Sequence, residues 1–285
     1  MKINYFRKKS NHLSSPFPAI LIHLFLLNSK KVLVVTGNIE SKFVQSFFLN
    51  FSISDYMLIY QNHPVACVAP FFSIIITTFN RASLVVRALD SLIHQTENDW
   101  EAILIDDGSM DDTQTRVLPF LKKRKNIRYI WQKSSGATFS KNKGILHSKG
   151  KFITFLDSDD EYTCEHLSIR KTILQQNEKI DFLYGGVKIS GNPFVPDLHN
   201  YQKLVHLSGC VIGGSFFVRK ELALAMKGFV EMPLGSDADL FERIVGAKAK
   251  IEKVTSETYI YHRETLNSIT NNLANCEKLP ELMNA

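Results

Sequence analysis

Apolar runs of strand length alternate with apolar stripes of helical period along most of this chain. Phe72-Ser-Ile-Ile-Ile-Thr77 is the first run, short and continuous as a buried strand requires. From Ala82 to Gln95, Leu84, Val85, Ala88, Leu89, Leu92 and Ile93 fall on one helical face. Trp100–Asp106 reads as the next strand, and Asp111–Leu121 as a helix that Asp111 or Asp112 can cap. Ile127–Trp131 is a third strand, Ala137–Ser148 a helix, and Lys151–Leu156 a fourth strand. Farther on, Leu240, Phe241 and Ile244 mark a helix after Asp237, and Thr258 to Arg263 closes another strand. This alternation predicts an α/β layered domain with a mostly parallel central sheet.

Upstream of Phe71 the signal is thinner. Lys31–Gly37 reads as a strand ending in a glycine turn, Glu40–Phe51 as an amphipathic helix, and Tyr56–Tyr60 as a second strand. That predicts a small N-terminal βαβ-like module over residues 1–70, with Pro64–Pro70 as linker. Met1–Pro18 is basic and the apolar run Ala19–Leu27 follows it. This is the order of a signal peptide, but no small-residue cleavage site comes next. The run is also far short of the ~20 residues that span a bilayer. A buried core element is expected there. The main domain is placed at residues 71–270 and a tail at 271–285.

Composition narrows the class. The chain has 285 residues, of which 45% are hydrophobic and 22% charged. Those proportions exclude wholesale disorder, a collagen-like repeat and a disulfide-stapled scaffold. Lys and Arg exceed Asp and Glu by 34 to 28, a net charge of +6, which suits a phosphorylated ligand or an acidic membrane surface. Nucleic acid is not expected as a partner. Cys67, Cys164, Cys210 and Cys276 are too scattered for a zinc knuckle or redox pair and read as free thiols of a reducing compartment.

Three polar clusters fall at strand ends: Thr77-Thr-Phe-Asn-Arg81, Asp106-Asp-Gly-Ser109 and Asp157-Ser-Asp-Asp160. In parallel sheets ligands bind outside the carboxyl ends of the strands. Three carboxylates as close as Asp157, Asp159 and Asp160 repel one another unless something positive lies between them. Mg²⁺ or Mn²⁺ is the simplest candidate, and a solvated acidic turn is the alternative. Asp106 to Thr113 reads either as a capped strand-to-helix turn or as a loop whose carboxylate accepts the ring N–H of a pyrimidine.

In this order and spacing the motifs resemble those of the family 2 glycosyltransferases, from about Phe71 to Thr270. Ser73–Arg81 resembles the family's first strand and loop, and Asp106–Thr113 its second-strand acidic loop. Ser140-Lys-Asn-Lys-Gly-Ile145 with Gly150–Asp160 resembles its donor helix and DXD motif. Gly213–Arg219 resembles the acceptor-side segment, and Leu234–Arg243 the region of the catalytic base. The resemblance implies a GT-A fold, with a donor half at 71–160 and an acceptor half at 161–270. It implies that Thr77 and Asp107 contact the base and that Asn80 and Arg81 shape the pocket edge. Asp157 would hold the sugar or ribose, and Asp159 the metal. Phe79, Asp106 and Ser158 complete the donor-binding set. Asp160 would assist or cap the next helix. Lys141 stands where the family has Arg and meets diphosphate as a point charge rather than a fork. Asp237 is the implied base, although Ser236 replaces the Glu that usually precedes it. His262 is an implied third metal ligand and Arg263 a phosphate contact.

The expected activity is therefore metal-dependent (Mn²⁺ or Mg²⁺) inverting transfer of a sugar from a nucleotide sugar to a hydroxyl. UDP is favoured by family habit, and the acceptor is a glycan or lipid-linked sugar of cell-surface polysaccharide or glycolipid synthesis. Ser236 and Lys141 feed the alternative of an inactive nucleotide-sugar-binding scaffold. A nucleotidyltransferase is disfavoured, because Thr77–Arg81 is not its Gly-rich loop. The expected location is cytoplasmic, peripheral at the inner membrane face. Lys122-Lys-Arg-Lys125 is either a contact for anionic lipid or a solvated helix end.

Overall fold

A computed structural model describes residues 21–27, 30–36, 56–61 and 69–264, except 199, 201, 202 and 233. The expected helix at Glu40–Phe51 and most of the Pro64–Pro70 linker lie outside the described residues. Leu21–Leu27 (β1), Lys30–Thr36 (β2) and Tyr56–Gln61 (β3) are followed by Phe72–Thr78 (β4), Ala82–Ile93 (α1) and Trp100–Asp106 (β5). Next come Thr113–Lys123 (α2), Ile127–Trp131 (β6), Ala137–His147 (α3), Phe152–Asp157 (β7) and Glu161–Tyr162 (β8). His166–Gln176 (α4), Phe182–Ser190 (β9), Phe194–Pro196 (β10), Leu204–His206 (β11) and Phe217–Arg219 (β12) lead to Lys220–Ala225 (α5), Ser236–Gly246 (α6) and Ile251–His262 (β13).

Eleven strands form one sheet in the order β1-β2-β3-β6-β5-β4-β7-β12-β9-β13-β8, while β10 and β11 form a separate ribbon. The four central strands β6, β5, β4 and β7 are mutually parallel. The flanks are mixed: β12 runs antiparallel to both β7 and β9, and β13 is parallel to β9. Upstream, β2 pairs parallel with β3, as the βαβ-like reading expects, and β1 adds an antiparallel partner to β2. β3 then pairs antiparallel with β6, so the N-terminal strands extend the same sheet.

Period-two alternation in the central strands sorts the core into two layers. Phe72, Ile74 and Ile76 of β4 face a cluster built from α1, α2 and α4, while Ile75 faces the opposite cluster with α3, α5 and α6. Every residue of β5 is buried, which is why its sequence is almost continuously apolar. On α1 the buried side is Val85, Ala88, Leu89, Leu92 and Ile93, the stripe its spacing predicts.

The chain runs from β4 through β5 to β6 on one side, then returns to place β7 on the other side of β4. That reversal opens a crevice at the carboxyl ends of β4 and β7. The register sets Thr77 beside Asp157 across β4 and β7, and Thr78 beside Asp106 across β4 and β5. Three polar clusters far apart in sequence thus meet at one edge.

Candidate active site

The first two clusters form a braced pair of loops. Asn80 takes a left-handed conformation (φ 50°). Its N–H donates to Ser109 Oγ at 2.9 Å, and its Oδ1 accepts from Met110 N at 2.8 Å. Asp111 Oδ2 accepts from Ala82 N, the first residue of α1, while Oδ1 accepts from Thr113 N at the start of α2. Asp111 therefore serves the starts of two helices, and Asp112, at the N-cap position of α2, makes no side-chain cap.

Asp107, the aspartate expected at the base, and its neighbour Asp106 of the expected donor-binding set are both hydrogen-bonded within the protein. Asp106 is fully buried, accepting from Ser109 N at 2.7 Å and from the Tyr129 hydroxyl at 2.5 Å. Burial raises its pKa above the ordinary carboxylate value. Asp107 accepts four bonds, from Gln132 Nε2 (2.7 Å), Ser135 N (2.8 Å), Gly136 N (2.9 Å) and Ser134 Oγ (3.1 Å). Those bonds use the roughly four lone-pair directions of a carboxylate, so Asp107 organises the loop leading into α3. Gly108 lets this loop close up: at φ 89°, a Cβ there would lie 2.9 Å from Ser134 N. Of the other expected donor-site residues, Thr77 is partly open and Phe79 is 49% exposed.

The third cluster is neutralised from within. Asp157 Oδ1 pairs with Lys141 Nζ at 2.9 Å, and Asp159 Oδ2 with Arg81 Nη1 at 2.8 Å. Arg87 donates to the Asp159 carbonyl and lies 3.4 Å from Glu161. Asp160 caps no helix; its oxygens accept from the Tyr259 hydroxyl at 2.6 Å and from His262 N at 2.8 Å. Burial, reinforced by the neighbouring Asp157 and Asp159 charges, raises Asp160 well above its usual range. Asp159 is raised as well, first by burial, with Arg81 opposing. Ser158 between them is buried.

A hard divalent cation suits this donor set in kind. Asp157 and Asp159 supply carboxylate oxygens, and Mg²⁺ is usually held by one or two carboxylates with substrate phosphates completing its shell. No group of three His, Cys, Asp or Glu poised for a metal occurs among the described residues. His262 does not join the aspartates: its Nε2 lies 3.1 Å from Glu161 and its Nδ1 3.4 Å from Glu264. Arg263 is buried, reaching Asn192 O at 3.4 Å and lying over the Tyr261 ring.

Opposite the β7 end stands Asp237, in the first turn of α6 just after Ser236. It accepts from Gly213 N and Ala238 N, both at 3.0 Å. Burial raises its pKa, while the Lys141 charge pulls the other way. Lys141 feels both sides of the crevice: burial lowers its pKa, but Asp157 and then Asp237 more than offset that, leaving it raised. Asp239, two residues on, pairs with Arg243 at 2.6 Å instead of facing the crevice.

The sequence left several supports of this site unread. Arg87 on α1, Gln132 just after β6, Asn142 on α3 and Tyr259 on β13 carry nothing in sequence that tells which partner each one holds. Only their partners, 25 to 99 residues away, reveal their use.

The family model for glycosyl transferase family 2 matches residues 73–220. The chain is 32% identical over 148 residues to UDP-Glc:alpha-D-GlcNAc-diphosphoundecaprenol beta-1,3-glucosyltransferase WfgD of Escherichia coli, covering 50% of this chain and 56% of that one. It spans less than a fifth of the length of the Rickettsia bellii and Rickettsia felis glycosyltransferases that it matches. Among solved structures, S. aureus TarS 1-349 in complex with UDP superposes with a TM-score of 0.57 at 21% identity, over 67% of this chain and 60% of that one. The mannosyltransferase PcManGT of Pyrobaculum calidifontis, in complex with GDP-Man and Mn²⁺, gives 0.55 at 17% identity, over 70% and 58%. These likenesses show a GT-A glycosyltransferase fold.

Proposed function

Since the chain belongs to glycosyl transferase family 2, we propose that it transfers a sugar from a nucleoside-diphosphate sugar, a UDP-sugar in the first instance, to a hydroxyl of a lipid-linked glycan precursor. One observation carries the reading: Lys141 is bonded to Asp157 at the β7 end and charge-coupled to Asp237 at the start of α6. That one ammonium facing both carboxylates supports the reading of a diphosphate site and a base site in one crevice.

Asp237 is the base. It takes the proton of the acceptor hydroxyl as that oxygen attacks the anomeric carbon. Direct displacement from the side opposite the leaving group inverts that carbon. Lys141 and Arg81 supply positive charge to the departing diphosphate, where charge develops. Asp157 and Asp159 would hold a divalent cation, whose chemistry is Lewis-acid stabilisation of the same leaving group. Asp107 acts one step back, fixing the loop that leads to Lys141.

The lipid-linked acceptor is supported by the diphosphoundecaprenol substrate in the name of WfgD, and the UDP donor by that name and by the UDP complex of TarS. The Mn²⁺ of the PcManGT complex supports the cation. No described helix is long and apolar enough to cross a membrane. We place the enzyme in the cytoplasm, at the inner membrane face where such an acceptor is presented.

The test is nucleoside-diphosphate release from a panel of nucleotide sugars, with and without Mn²⁺ or Mg²⁺, for the wild type, Asp159→Ala and Asp237→Asn. Cation-dependent release from one donor that both variants lose supports the reading. A wild type that neither releases a nucleoside diphosphate from any donor nor binds UDP overturns it.

A further inference from the structure

We propose that Arg81 is the resident counter-ion of Asp159, and that a divalent cation and a diphosphate enter this site by displacing it. The inference rests on the donor-site reading above and concerns how that site loads.

The acidic segment after β7 carries no idle carboxylate. Asp157 is held by Lys141, Asp160 by Tyr259 and the His262 backbone, and Glu161 by Arg87 and His262. The Asp159 side chain keeps only 10% of its surface open, and Arg81 Nη1 lies 2.8 Å from its Oδ2. A small cation arriving alone must break that pair, because a guanidinium and a divalent ion cannot share one buried oxygen without strong repulsion.

The loop around Arg81 suits an exchange of partners. Its backbone is fixed on both sides, by Asn80 N and Oδ1 on Ser109 and Met110, and by Ala82 N on Asp111. Movement is thus confined to the side-chain torsions of Arg81, which is about one-fifth exposed. A guanidinium stays charged at any working pH, and its planar fork matches phosphate oxygens. Released from Asp159, it turns to the diphosphate that arrives with the cation. The cation alone bears the cost of breaking the pair, whereas the cation with a diphosphate recovers it. The two ligands are therefore positively coupled through Arg81, beyond the chelation they show in free solution.

The experiment titrates Mn²⁺ into the protein, without and with UDP, reading free Mn²⁺ by electron paramagnetic resonance. The variants are Arg81→Ala, Arg81→Gln and the double variant Arg81→Ala/Asp159→Asn, each checked for a native melting transition. Losing a unit charge about 3 Å from a ligand oxygen in a partly dry site is expected to tighten Mn²⁺ binding without UDP on the order of tenfold. The added benefit from UDP should shrink by a similar factor, and the double variant should lose the gain. Unchanged or weaker Mn²⁺ binding in both single variants, with UDP and Mn²⁺ still binding together to the wild type, overturns the inference and leaves the donor site standing. A gain that persists in the double variant overturns it too, since the effect then does not pass through Asp159. No binding of Mn²⁺ or UDP by any form overturns the inference and the donor-site reading together.

Discussion

Asn142 on α3 grips Phe229 by both of its backbone groups: Nδ2 donates to Phe229 O and Oδ1 accepts from Phe229 N, each at 2.8 Å. The same strap is held from the other side, where Arg243 of α6 donates to Met226 O at 2.5 Å and to Gly228 O at 2.8 Å, with Asp239 aligning its guanidinium. The strap joins the helix that carries Lys141 to the helix that carries Asp237. Asn142→Ala should cost about 1–3 kcal/mol, the usual loss when buried backbone groups go unpaired. Urea unfolding measures that loss. Turnover should fall more than UDP binding, because the separation of base and donor loosens while donor contacts remain. Equal losses in both would show that the strap serves stability alone.

At the opposite end of the sheet Glu101 closes a buried network. Its oxygens accept from Ser73 Oγ at 2.7 Å and Lys149 N at 2.6 Å, and pair with Arg128 at 2.9 Å. Removing one partner of a buried pair leaves an uncompensated charge, so Glu101→Gln should destabilise by about 3–5 kcal/mol. Donor affinity in the surviving folded fraction should not change, since the network lies at the amino ends of the strands. Thermal melts with and without UDP separate the two effects.

Two glycines should respond with opposite signs. A Cβ on Gly150 would sit 2.6 Å from Phe72 C and Ser73 N, backbone atoms of a central strand that cannot yield. Gly150→Ala should cost about 1–3 kcal/mol or more, as overpacking does. Gly246, near the end of α6, has nothing within 4 Å of a Cβ. Gly246→Ala should stabilise by up to about 1 kcal/mol through helix propensity. Denaturant midpoints of the two variants on either side of the wild type check both.

The alternation around α1, β5, α3 and β7 was legible because burial imposes periodicity on the chain itself. The polar residues at strand ends were legible for a similar reason, since apolar strands that stop in Asp or Asn advertise a loop. What each carboxylate does was not legible. Asp106, Asp107, Asp157, Asp159 and Asp160 look alike in sequence, yet two brace loops, two hold cationic side chains and one ties down β13. That division depends on partners supplied by other elements. The length of β13 was also hidden. Its first half, Ile251–Glu257, is mostly polar and exposed, and pairs with β9 through a register shift between Val254 and Tyr259. Arg170 escaped notice because a fully buried arginine is rare. It fills this irregularity by donating to Thr258 Oγ1, Gly185 O and Ser256 O.

The final prediction concerns pH. Asp237 must be ionised to accept a proton, and its burial raises its pKa. The rate should therefore fall as pH drops through that raised value, so the acidic limb of the kcat profile lies above the range of a free aspartate. Lys141 favours the ionised form, because its charge lowers the Asp237 pKa against the burial effect. Lys141→Met removes that charge, which raises the Asp237 pKa further and moves the acidic limb toward neutrality. Lys141→Arg keeps the charge and should leave the limb nearly in place, even where a changed contact with Asp157 raises KM. Asp237→Asn should abolish the limb and lower kcat by about 10²–10⁴-fold, the range for a general base, with UDP affinity retained. Full pH–rate profiles of the three variants decide the matter: a limb that stays fixed in Lys141→Met, or survives in Asp237→Asn, assigns the titration to another group and removes Asp237 as the base.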